Sequence, residues 1–232
     1  MKVCIIGLGY IGFPTACVVA KAGHEVVGMD INIEVIDKLK HGGLHIVDEE
    51  GLSDIVREVF ESQRLRVTNK PERADVFILA VPTPYRKAVP AISVVCQEVA
   101  VAAGGHISGY VQAISGVTDS STYEFGVDLS YVEQAARSII PHVSAGNLII
   151  LESTVLPATT NNLVRNILEK GTGFECGKDI YLAHAPERVF PGNIIKELTE
   201  NGRIIGGVDP ESTEQAVAFY RTFVHGAVVG TR

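Results

Sequence analysis

Val3-Cys4-Ile5-Ile6-Gly7-Leu8-Gly9-Tyr10-Ile11-Gly12 decides the fold. The apolar run Val3 to Ile6 has the make-up of a strand buried on both faces of a parallel sheet. Gly7, Gly9 and Gly12 follow at the spacing G-x-G-x-x-G, and Ile11 to Ala22 read as a helix. A turn at Gly23 leads to a second apolar strand, Glu25 to Met29, which Asp30 closes. Each glycine has its own task. Gly7 permits the tight turn out of the strand, Gly9 lets a pyrophosphate approach the backbone, and Gly12 lets helix and strand pack closely. The helix start offers unpaired N–H groups and a partial positive charge to the phosphates. Asp30 lies about twenty residues on, where a carboxylate accepts hydrogen bonds from the adenosine ribose. That charge repels a 2′-phosphate, and Ile31-Asn32 supply no arginine to hold one. The pattern predicts a dinucleotide site selective for NAD over NADP.

The same alternation continues outward from this unit. Asn32 to Lys40 and Ser53 to Ser62 read as helices, separated by a loop that includes His45-Ile46-Val47. Leu65 to Thr68 is a short strand, and Val76 to Val81 a strongly apolar one stopped by Pro82-Thr83-Pro84. Ligands in open α/β sheets bind at such strand ends, so Thr83 is placed toward the cofactor. Ser130 to Ile140 is a helix, Asn147 to Leu151 a strand ending in Glu152-Ser153-Thr154-Val155, and Thr159 to Lys170 a helix capped by Thr or Asn. Asp179 to Ala183 is a strand that runs into Pro186-Glu187-Arg188-Val189 and Pro191-Gly192. Arg203 to Gly207 reads as the last strand and Glu211 to Val224 as the last helix. Repeated β-α units of this kind predict an α/β, Rossmann-like, doubly wound and mostly parallel sheet with helices on both faces.

Composition narrows the classes. The 232 residues carry a net charge of −7 and are 46% apolar, which argues against a basic nucleic-acid surface and provides ample core. No apolar run reaches membrane-spanning length, and the first strand is too short for a leader, so a cytoplasmic location is the expectation. Cys4, Cys17, Cys96 and Cys176 form no C-x-x-C pair, and the seven histidines form no H-x-x-x-H, so no metal site is expected. Cys4 and Cys17 read as inert core thiols and Cys176 as structural.

Four ordered motifs carry a family resemblance. Gly7 to Ala16, Val81-Pro82-Thr83-Pro84, Glu152-Ser153-Thr154-Val155, and Pro186-Glu187-Arg188-Val189 with Pro191-Gly192 resemble the N-terminal domain of the UDP-glucose/GDP-mannose dehydrogenase family. His45-Ile46-Val47 and the Glu-Arg-Val form of the last motif resemble its UDP-N-acetylmannosamine-oxidising branch. The resemblance implies oxidation of a nucleotide-sugar C6 alcohol to the carboxylate by two NAD, through a cysteine thiohemiacetal and thioester. It assigns Gly7, Gly9, Tyr10, Ile11, Gly12, Asp30, Thr83 and Thr154 to NAD. Glu187, with Thr154, borders the reacting carbon as an acid/base or water-ordering group, and Arg188 and Val189 contact the UDP-sugar. It further implies a homodimer for the full-length family. Neither nucleic acid nor membrane is an expected partner.

The sequence departs from the family in three places. The family's catalytic lysine, asparagine and cysteine lie in later motifs that are absent from these 232 residues, as is its UDP-binding domain. A truncated enzyme is therefore expected: residues 1–232 bind NAD but do not complete the oxidation. The alternative is a stand-alone NAD(H)-binding module. A segment at about 88–127 is the second departure. Pro90 to Val95 resembles a weaker copy of Asp128-Leu129-Ser130-Tyr131-Val132, which reads as an insertion or partial duplication with a short helix over Ser93 to Ala103. Third, Ala158 stands where relatives have a glycine.

Overall fold

A computed structural model describes residues 1–87 and 125–231. The chain divides into two compact units, Met1–Thr83 with Leu129–Arg232, and Pro84–Asp128. The large unit is built on eight strands among the described residues. They are β1 (Lys2–Ile6), β2 (Glu25–Met29), β3 (Leu65–Thr68), β4 (Val76–Leu79), β7 (Leu148–Leu151), β8 (Tyr181–His184), β9 (Arg203–Gly207) and β10 (Val228–Thr231). Their order across the sheet is β10-β9-β8-β7-β4-β1-β2-β3. All neighbours run parallel except β8 and β9, which are antiparallel. The mostly parallel, doubly wound sheet is thus as expected.

The sheet is covered on both faces because alternate residues of its central strands point to opposite sides. Val3 and Ile5 join one core with Ile78 and Ile150, whereas Cys4 and Ile6 join another with Phe77, Leu79, Ile149 and Leu151. The first core is closed by α1 (Gly12–Lys21), α2 (Ile33–Lys40), α3 (Leu52–Glu61), α6 (Ile194–Glu200) and α7 (Pro210–Tyr220). The second is closed by α4 (Ser130–Ile139) and α5 (Asn166–Thr172). Helix α1 is buried continuously from Gly12 to Ala20. Such a helix has no polar face, as its sequence already shows. Pro14 is tolerated because it occupies the first turn, where the missing N–H has no intrahelical partner.

Several expected boundaries shift. The Arg203 strand is not the last: β10 pairs with it in parallel, Val228 opposite Arg203. Its short Val-Val-Gly-Thr run carries little apolar signal, and pairing at the sheet edge decides its form. The helix expected from Thr159 opens as a π-helical turn, Thr160–Arg165, before α5. Thr159 occupies the cap position, but its hydroxyl donates to the Leu156 carbonyl at 2.7 Å instead of capping the helix. Ala158, just before it, has φ +66°, a left-handed conformation that disfavours any Cβ. Asn32 does cap α2, accepting from the Glu34 N–H at 3.0 Å.

In the small unit, β5 (Tyr85–Lys87) and β6 (Phe125–Val127) form an antiparallel pair, Tyr85 opposite Val127. The rest of the expected insertion at about 88–127, including the helix over Ser93 to Ala103 and Cys96, lies outside the described residues.

Candidate functional site

The strand order reverses between β1 and β4, from which successive connections run to opposite sides of the sheet. This is the switch point at which doubly wound sheets open a crevice. A cleft of about 210 Å³ lies there, lined by Gly7, Gly9, Asp30, Val81, Pro82 and Tyr131 among others. Its floor comes from the ends of β1, β2 and β4, and its far wall from α4, through Tyr131, Gln134, Ala135 and Ser138. The α4 wall was not evident in the sequence, since nothing local tells which helix crosses the crevice.

The three glycines meet three different constraints. Gly7 has φ +96°, and a Cβ there would lie 2.5 Å from the Ala80 carbonyl oxygen. A Cβ on Gly12 would lie 2.0 Å from the Gly7 carbonyl oxygen. A Cβ on Gly9 meets nothing within 4 Å, and Gly9 is exposed. Protein packing therefore demands glycine at Gly7 and Gly12 but not at Gly9. An open glycine beside α1 fits a ligand that approaches the backbone. Among the described residues, no acceptor takes the N–H groups of Gly9, Tyr10 and Ile11. They are donors at the start of a helix, suited to a pyrophosphate.

Asp30 sits at the end of β2. Its carboxylate accepts from the Leu8 N–H and from the Asn32 N–H, each at 2.8 Å. These bonds fix it on the rim of the cleft, with further lone pairs able to accept from ribose hydroxyls. The residues present fit a dinucleotide.

Thr83 and Thr154, each assigned to NAD by the resemblance, lie together. The Thr83 hydroxyl donates to the Thr154 carbonyl at 2.7 Å, so it ties the two strand-end loops rather than capping β4. Ser153 reinforces the tie: its hydroxyl accepts from the Val81 N–H at 3.0 Å and donates to the Val81 carbonyl at 2.7 Å. Arg188 is exposed, whereas Val189 is half-buried and packs against the core.

Glu187 turns inward. Its side chain is 3% exposed and forms an ion pair with Arg203, whose side chain is also 3% exposed. It is not a solvated loop residue. Burial pushes its carboxyl above the usual range, against the pull of Arg203. Glu152, directly after β7, belongs to the same cluster and accepts from the Tyr220 hydroxyl at 3.1 Å. Arg203 lies 5.9 Å from the centre of the Tyr220 ring and donates to the Leu198 carbonyl at 3.0 Å. Burial, with the nearby Glu187 charge, raises Glu152 to about 7, although Arg203 and Tyr220 oppose the shift. Two buried carboxyls thus lie close together beneath the strand ends, Glu187 paired with Arg203 and Glu152 bonded to Tyr220. The sequence offered one sign of this: Glu152 is an acid directly after an apolar run. Its partners lie 51 and 68 residues away, too far for local spacing to show.

Among the described residues, three free thiols are buried. Burial raises Cys4 to about 11 and Cys176 to about 12, and lifts Cys17 well above its ordinary value. Among the described residues, no group of three or more His, Cys, Asp or Glu side chains is arranged to hold a metal.

Comparison with known proteins agrees with this geometry. The profile of the UDP-glucose/GDP-mannose dehydrogenase family, NAD binding domain, matches residues 1–126 and 110–224. The chain is 40% identical over 227 residues to the UDP-N-acetyl-D-mannosamine dehydrogenase of Methanococcus vannielii, covering 98% of this chain and 43% of that one. It superimposes on the UDP-N-acetyl-mannosamine dehydrogenase of Staphylococcus aureus with a TM-score of 0.80 and 40% identity, covering 100% of this chain and 47% of that one. The corresponding enzyme of Pyrococcus horikoshii gives a TM-score of 0.80 and 36% identity, covering 100% and 47%. The chain therefore spans somewhat under half the length of these relatives. With the cleft, its glycines and its acid in place, the chain belongs to the UDP-glucose/GDP-mannose dehydrogenase family and carries that family's NAD-binding domain.

Proposed function

We propose that this domain is the cofactor-holding half of a dehydrogenase that oxidises the C6 alcohol of a UDP-sugar, UDP-N-acetylmannosamine, to the uronate with two NAD. The observation that carries the reading is the switch-point cleft, where an open Gly9, unpaired amides and Asp30 meet. The amides of Gly9, Tyr10 and Ile11 hold the pyrophosphate, and Asp30 accepts from the adenosine ribose. Thr83 and Thr154 border the nicotinamide side. When bound, NAD supplies the hydride acceptor.

Glu187 serves near the reacting carbon as an acid/base or water-ordering group. Its burial raises its proton affinity toward the range that such a task needs. Arg188 and Val189 contact the substrate. In the family, a lysine and a cysteine in later motifs carry the covalent steps. A cytoplasmic location, a role in surface-polysaccharide synthesis and the homodimer implied for the full-length family complete the reading. Among the described residues, no helix is long and apolar enough to cross a membrane.

Titration calorimetry with NAD and NADP tests it. Wild type binds NAD and discriminates against NADP. Asp30→Ala loses hydrogen bonds to a charged acceptor, a loss of about 1.5–3 kcal/mol, and weakens NAD binding by roughly 10- to 100-fold while narrowing the gap to NADP. Identical curves for wild type and variant with both cofactors would refute the placement of Asp30.

A further inference from the structure

Glu49 makes a three-way tie that neither the family motifs nor the cleft explains. It lies in the loop between α2 and α3. Its carboxylate accepts from the Tyr10 hydroxyl, from the Gly192 N–H at 2.9 Å and from the Ile194 N–H at 3.1 Å. Tyr10 belongs to the glycine-rich turn, while Gly192 and Ile194 belong to the segment that follows Glu187-Arg188-Val189 and opens α6. These points of the chain are 143 and 145 residues from Glu49. A second strut runs alongside, where the His45 ring bonds the Leu8 carbonyl through Nε2 at 2.6 Å and lies 5.3 Å from Phe13.

Such a tie needs a carboxylate. One oxygen accepts from both Tyr10 and Gly192, and the other from Ile194. A carboxamide would put an N–H donor against one of these donors. Burial works against the charge, but the bonds from Gly192, Tyr10 and Ile194 outweigh it and hold Glu49 below the usual carboxylate range. Tyr10 is pushed up to about 12 by burial and by the Glu49 carboxylate, so its hydroxyl stays a donor. That hydroxyl is therefore committed to Glu49, and Tyr10 serves as a strut between loops.

We propose that Glu49 is a positioning residue that couples the glycine-rich turn to the 187–194 loop, so that dinucleotide bound at the one orders the other. Ordering the turn holds Tyr10, Tyr10 holds Glu49, and Glu49 holds the amides of Gly192 and Ile194. The tie is present without cofactor, and bound cofactor holds the substrate-side loop more firmly through it. The coupling rests on the NAD reading given above; the tie itself does not.

Hydrogen exchange read by mass spectrometry on this polypeptide separates the two. Without nucleotide, Glu49→Ala speeds exchange at Gly192 and Ile194 by about tenfold or more, as expected on losing a charge-assisted bond, and leaves the β1 amides unchanged. Unchanged exchange at both amides overturns the proposal whether or not NAD binds. With saturating NAD, wild type slows exchange at both the 9–12 turn and the 192–194 amides. Glu49→Ala keeps the slowing at the turn but loses it at 192–194. A wild-type response confined to the turn, or a Glu49→Ala response to NAD at 192–194 equal to wild type, also overturns the coupling. No NAD response at the turn itself overturns the cofactor reading instead, and leaves the nucleotide-free result to decide the tie.

Discussion

Replacing Glu152 by Gln should remove most of one pH dependence of stability. The Glu152 carboxyl is 2% exposed and shares its pocket with Glu187, Arg203 and Tyr220. Unfolded, it ionises near 4.5; folded, it keeps its proton until about 7. Between those values the folded state binds more protons than the unfolded state, so stability is greatest below about pH 4.5 and falls as pH rises through 7. The shift spans about 2.5 pH units, and each unit is worth about 1.4 kcal/mol, so the full loss is on the order of 3 kcal/mol. Glu152→Gln cannot ionise, and it also relieves Glu187 of a neighbouring charge, which acts in the same direction. His24 and His184, both lowered by burial, change stability with pH in the opposite sense, but equally in both proteins. Urea unfolding at half-unit steps from about pH 5 to about pH 8 reads the difference directly. The two proteins should be close near pH 5, and the variant should be the more stable by up to about 3 kcal/mol near pH 8. Parallel curves would refute the reasoning, because they would mean that Glu152 ionises as freely in the fold as outside it.

The glycine-rich turn separates packing from binding: Gly12→Ala, whose Cβ would lie 2.0 Å from a carbonyl oxygen, should lower stability in urea by about 1–3 kcal/mol or more. Gly9→Ala has open space for its Cβ and should leave the unfolding midpoint unchanged, yet weaken NAD by about 10- to 200-fold in calorimetry. A destabilised Gly9→Ala would contradict this division. Ala158→Gly should raise thermal stability, by about 1 kcal/mol net of glycine's greater unfolded-state freedom, because it relieves a left-handed φ of +66°. A lower melting temperature would show that Ala158 is not strained.

Much of this protein was legible because its information is local. The run Val3 to Gly12 combines an apolar strand, three glycines and a helix start within ten residues, and each part acts on its immediate neighbours. The open and closed glycines and Asp30 at the end of β2 lie where the sequence puts them, whereas the bond from Thr83 to the Thr154 carbonyl appears only in the fold. Strand β10 was missed because an edge strand needs few apolar residues and takes its form from its neighbour. Glu187 was placed at the right strand end, but the inward turn of its carboxylate was not foreseen. That orientation depends on Arg203, which opens β9, a strand that runs antiparallel to its neighbour β8.

The sequence by itself determined the βαβ unit and the NAD preference expected from Asp30, which rest on residues close in the chain, and the family, which rests on four short motifs, each local in itself. Only the tertiary structure decided what the polar groups around the turn do. Tyr10 reaches Glu49 across 39 residues, Glu49 reaches Gly192 across 143, and Glu152 meets Tyr220 across 68. A buried or tied carboxylate is defined by the donors and charges packed around it, and only the folded sheet brings those together.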